Sequence, residues 1–136
     1  LIPNILAAVC SPALKKSLHT LDDLKKTVLL HTLARPDDWS QWLASQGYTD
    51  LDGMHHRNYE SSVLVYQAAM RGQGVGIAQK ALAVPLIESG DLVYAFPHEL
   101  DMHAYTYYFV MPGNRPIRPE LKVFHDWLMN RAEMDG

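Results

Sequence analysis

Apolar positions fall in short runs separated by polar breaks, and two kinds of run alternate along the chain. Residues 5–10, I-L-A-A-V-C, are unbroken apolar and rich in small and branched side chains, which predicts a buried strand. Ser11-Pro12 follows; serine suits an N-cap and proline the first helical position, so a short helix starts there. T-L-D-D at residues 20–23 is close to a capping box, with Asp in place of Glu, and opens a helical turn. Residues 27–30 predict a second short strand, ended by His31 and Thr32. Residues 35–38 form a Pro- and Asp-containing break in which Asp37 or Asp38 caps a helix. Trp39, Trp42 and Leu43 share one face of that helix, and Gly47 ends it as a left-handed C-cap.

Residues 52–58 are polar and read as a weak strand. Residues 61–71 give the clearest helix. Val63, Leu64, Val65, Ala68, Ala69 and Met70 nearly encircle it, which predicts burial on more than one side, and Gly72 stops it. Residues 75–78 then read as a short buried strand whose glycines allow a neighbour to come close. Residues 80–88 are helical and contain Pro85, expected to kink or end the helix. Gly90-Asp91 turns the chain into a strand at 92–95; a loop follows around Pro97, then an aromatic strand at 105–110 and a closing helix at 119–131. Strands and helices alternate throughout, the pattern of an α/β fold with a mostly parallel sheet covered on both faces.

Charge narrows the function. The 136 residues hold 12 Lys and Arg against 15 Asp and Glu, a net charge of −3, whereas a nucleic-acid surface needs a basic excess. The one cysteine, Cys10, cannot form an internal disulfide and suits a reducing compartment. No apolar run reaches the length of a membrane span, so no membrane partner is expected. Nucleophile-elbow, phosphate-loop and dinucleotide signatures are missing, so an enzyme is not expected. G-Q-G-V-G-I lies inside or before a strand rather than between a strand and a helix, where phosphate cradling needs it. Among seven histidines, His55-His56 and the cluster His98-Glu99, Asp101 and His103 lack a strong metal spacing, and adjacent strand residues point to opposite faces. No metal and no cofactor are expected.

Several stretches, in this order, resemble the effector-binding domain of LysR-type bacterial transcription regulators. They are A-V-C-S-P-A-L at 8–14, L-L-H at 29–31 with D-D-W at 37–39 and W-L at 42–43, E-S-S-V-L-V-Y-Q-A-A-M-R-G-Q-G-V-G-I-A at 60–78, G-D-L-V at 90–93, Y-Y-F-V-M-P at 107–112 and F-H-D-W-L at 124–128. The D-D-W and Q-A-A motifs look most like the branch holding the glycine-cleavage activator and the β-lactamase regulator. The resemblance implies a periplasmic-binding-protein-like (type 2) fold, two α/β lobes joined by crossing strands with a small effector between them. On that reading residues 1–136 are a partial effector-binding domain, with about 10–78 as lobe two and 92–136 crossing back into lobe one. The DNA-binding winged helix-turn-helix lies outside these residues. The resemblance also implies a cytoplasmic homodimer or higher oligomer that reaches DNA only through that other domain. A free-standing solute-binding module or small hydrolase on a similar fold is the alternative.

Site residues follow from both arguments. A helix start leaves backbone N–H groups unpaired and carries partial positive charge, so Asn58, Ser61 and Ser62 are candidate effector contacts, which the resemblance places at the cleft. One serine is equally explained as a plain N-cap. Glu60 would repel an anion and could hold an amine. Tyr107 lies early in the aromatic strand, where the resembled branch has a tyrosine in the cleft; packing in a sheet is its plainer explanation. His31 and Thr32 end a strand, and ligands of open α/β sheets bind beyond the carboxyl ends of strands. The expected effector is an amino acid or another small carboxylate.

Overall fold

A computed structural model describes residues 2–106. Five strands form one sheet: β1 (Ile2–Cys10), β2 (Val28–Thr32), β3 (His55–Tyr59), β4 (Val75–Gln79) and β5 (Val93–Thr106), in the spatial order β3-β2-β4-β1-β5. β2 runs parallel to β3 and to β4, as expected, but β1 is antiparallel to both of its neighbours, β4 and β5. The sheet is therefore mixed, with its one reversed strand near the middle. A strand buried on both faces shows no alternation, and its sequence reads alike in either direction.

Side chains alternate between the two faces. Leu6, Ala8 and Cys10 of β1 join Leu29, Val75 and Ile77 under the helices α1 (Pro12–Lys15) and α2 (Asp38–Ala44), together with Leu24 of the 3₁₀ turn Leu21–Lys26. Val9, Leu30 and Ala78 face α3 (Ser62–Met70) and α4 (Lys80–Glu88) instead. Trp39 and Trp42 meet edge to face, with ring centroids 5.6 Å apart, in the first core. Each indole finds a carbonyl: Trp39 Nε1 donates to Leu30 O at 3.1 Å and Trp42 Nε1 to His98 O at 3.3 Å.

The local signals act largely as expected. Ser11 Oγ accepts from Leu14 N at 3.2 Å and Pro12 opens α1. Gly47 and Gly72 close α2 and α3 at φ +72° and +77°, a region that favours glycine. Other expectations hold only in part. Asp37 holds the N-cap position of α2 without a side-chain bond, and Asp38 binds Arg35 Nε at 2.8 Å. Burial on α3 is one stripe, Val65, Tyr66, Ala68 and Ala69, while Leu64 is 40% exposed, because the helix lies on one face of the sheet. α4 runs on past Pro85 to Glu88, anchored by buried Leu82, Ala83 and Leu86. Among the described residues β5 is one long strand at the sheet's edge, where a short strand, a loop and a second strand were expected. The proline signal is nonetheless visible: Val9 pairs with Tyr94 and Ala7 with Glu99, so residues 95–98, including Pro97, bulge opposite Ala8 alone. Of the expected strand at 105–110, residues 105–106 belong to β5; its remainder and the expected helix at 119–131 lie outside the described residues.

Candidate functional site

β2, β3, β4 and β5 all point the same way, so their carboxyl ends share one side of the sheet, and β1 begins there. That edge collects residues far apart in sequence. His31 is in register with Asn58, and Thr32 with Tyr59. Leu33 N donates to Tyr59 O at 2.9 Å, which locks the two strand ends together. The chain then passes through Glu60 to Ser61, the N-cap of α3, whose Oγ accepts from Leu64 N at 3.4 Å. Ser62 is the first residue of the helix and only half-buried. Capping thus explains Ser61, and Ser62 has no such duty. Thr32 is 6% exposed and its Oγ1 accepts from Ala34 N at 3.4 Å.

The two sheet faces divide these residues. Thr32 and Tyr59 lie on the α3 side, in phase with Leu30. His31 and Asn58 lie on the α2 side, in phase with Leu29. There His31 Nε2 and His56 Nδ1 approach to 2.8 Å, with ring centroids 4.9 Å apart. Burial, and then the charge of His56, push the His31 imidazole below its usual range; Asp38 pulls the other way. Among the described residues no group of three His, Cys, Asp or Glu side chains is placed to hold a metal ion. Tyr107 lies outside the described residues; the last of them, Thr106, pairs with Ile2.

Two features were not singled out from sequence. β4 ends in Gln79, which is buried and donates through Nε2 to Asn4 Oδ1 at 3.2 Å. Beside it Lys80 Nζ meets Glu99 at 2.6 Å, tying the start of α4 to β5. The available signal was a polar residue closing a wholly buried strand, V-G-I-A-Q. Beyond the Leu6–Gln79 pairing, β1 and β5 continue as a two-stranded ribbon to the Ile2–Thr106 pair. Those four residues of β1 carry it about 13 Å past the end of β4 at the usual strand rise. The edge therefore has a ribbon rising at one side and the start of α3 at the other.

A family model described as LysR substrate binding domain matches residues 1–133. The chain belongs to this family. It is 31% identical over 135 residues to the glycine cleavage system transcriptional activator of Escherichia coli (strain K12), covering 97% of this chain and 44% of the relative. The solved AmpR effector binding domain from Citrobacter freundii is 26% identical with a TM-score of 0.67, covering 98% of this chain and 66% of that chain. Full-length LysG from Corynebacterium glutamicum, solved with bound effector Arg, shares the fold at a TM-score of 0.55 and 16% identity, over 97% of this chain and 44% of that chain. The chain thus spans less than half the length of the curated relative it matches. The expected resemblance, the α/β effector-domain fold and the likeness to the glycine-cleavage activator agree with these matches. The relatives are transcriptional regulators, not enzymes, and no described helix of this LysR domain is long and apolar enough to cross a membrane.

Proposed function

We propose that this LysR substrate-binding domain is the ligand sensor of a cytoplasmic transcriptional regulator, working as a homodimer or higher oligomer. Its effector, an amino acid or another small carboxylate, binds at the carboxyl-terminal edge of β2 and β3 and the start of α3. The observation that carries this reading is the Thr32–Tyr59 register: it sets a buried threonine beside the link into Ser61 and Ser62, 29 and 30 positions later in the chain. Hydroxyls and first-turn N–H groups at a helix start suit a carboxylate. On this reading residues 10–78 are lobe two, residues 92–136 return into lobe one, Tyr107 faces the same cleft, and DNA is reached through a separate N-terminal domain. Effector binding acts on that domain by favouring one of two conformations.

Thermal-shift screening of amino acids and small carboxylates against the full-length protein supplies a ligand to titrate. Ser61→Ala should lower the melting temperature, costing about 0.5–1 kcal/mol, the low end for a cap because its bond is long. Ser62→Ala should leave melting nearly unchanged but weaken binding roughly tenfold to a hundredfold, the loss of one ligand hydrogen bond. If both variants bind the ligand as tightly as the parent, the effector lies elsewhere.

A further inference from the structure

We propose that the His31–His56 pair is a proton-sensitive clasp on the edge strand β3, whose opening releases the segment from Asn58 into the start of α3. β3 is unusual in this sheet. None of its five side chains is buried, and among the described residues its one strand neighbour is β2. It is held by the parallel ladder to β2, extended by Leu33 N donating to Tyr59 O at 2.9 Å, by half-buried Tyr59 packed against the α3-side core with a long Oη bond to Gln73 Oε1 at 3.4 Å, and by the His56 contact with His31. A strand with so little burial gains little from the hydrophobic term, so one side-chain contact weighs more here than elsewhere.

The chemistry of the pair sets its response to protons. At 2.8 Å one imidazole nitrogen must donate and the other must accept. Both neutral rings satisfy this, and so does one neutral ring facing one protonated ring, which makes a charge-assisted bond. A second proton leaves two donors facing each other and two positive charges at the same spacing, so the contact fails. Asp38, from the first turn of α2, is the carboxylate acting on His31, and its Oδ2 is held by Arg35 Nε at 2.8 Å. It offsets one positive charge, not two. His55 and Arg57 flank His56 on β3 and, by strand alternation, point to the other face of the sheet. The contact therefore survives one proton on the pair and fails with two. The release itself does not depend on the effector reading; its bearing on ligand binding rests on the site proposed above.

Amide hydrogen exchange on the full-length protein tests the clasp with no ligand present, separately from the serine variants. Exchange is expressed as protection relative to the intrinsic rate at each pH, with Val75–Gln79 as the internal control. Between pH 7.5 and 5.5, protection over His55–Tyr59 should fall about tenfold or more, the effect of one pKa unit, while the control strand holds. His56→Gln should show the same β3 protection at both pH values. Unchanged protection in the parent protein, or an equal fall in His56→Gln, overturns the proposal. Should His56→Gln fail to fold, imidazole nitrogen shifts of the parent decide: coupled two-step titration of His31 and His56 supports the clasp, and independent single steps overturn it.

Discussion

Three donors converge on the carboxylate of Asp23: His19 N at 2.7 Å, Thr20 N at 2.9 Å and Lys26 Nζ at 3.0 Å. The two backbone bonds, Thr20 first, and then Lys26 hold its carboxyl well below the usual carboxylate range. A carboxyl with a depressed folded-state pKa stabilises the fold above its ordinary pKa of about 4 and loses that contribution as pH falls toward the folded value. Asp23→Asn should therefore melt below the parent at pH 7 and show a shallower loss of stability between pH 4 and 2, read from melting temperatures across that range. T-L-D-D announced a capping box, and the box is there, but it opens a 3₁₀ turn rather than an α-helix. The cap is a contact three residues apart and so is written in the sequence. His31 meets His56 across 25 positions, and no local pattern connects them.

Elements that pack closely depend on positions with no side chain at all. A Cβ on Gly76 would sit 2.6 Å from Val65 Cγ1, so the glycine lets α3 settle onto β4. Gly76→Ala should force α3 away or Val65 out of its rotamer, at about 1–3 kcal/mol in urea unfolding, the usual cost of overpacking. A cost below about 0.5 kcal/mol would mean that the helix floats on the sheet. Glycines in the strand at 75–78 predict a close approach, and Gly76 makes one. α3 is buried on fewer sides than its sequence predicts, because six apolar side chains around a helix say nothing of how many neighbours are available to cover them. Only the arrangement of layers leaves Leu64 outward. Pro97 marked a break in β5, and the break exists as a bulge within a continuous strand. Among the described residues the side of β5 away from β1 carries no ladder, so the bulge interrupts none there.

At the scale of the whole chain, charge and topology bear on partners. With 12 basic and 15 acidic side chains, residues 1–136 lack the positive field that phosphate contacts require. These residues alone should give no saturable, sequence-dependent mobility shift with promoter DNA at physiological salt. Such a shift would place DNA recognition within this domain and sink the division of labour proposed for the regulator.

The sequence by itself determined most of the element order through residue 95, the caps at Ser11 and Thr20, the stop glycines and the family, because each is carried by neighbours in the chain or by motifs kept in order. It also pointed to Thr32 and Ser61 separately, through the rule that strand ends and helix starts line ligand sites. Tertiary structure decided that these positions share an edge, that β1 runs against its neighbours, that Gln79 closes that edge bonded to Asn4, and that two histidines on adjacent strands touch. Those are choices of partner, direction and register. They are fixed by which buried faces fill one another across the sheet, and a one-dimensional pattern of apolar and polar residues leaves that pairing open.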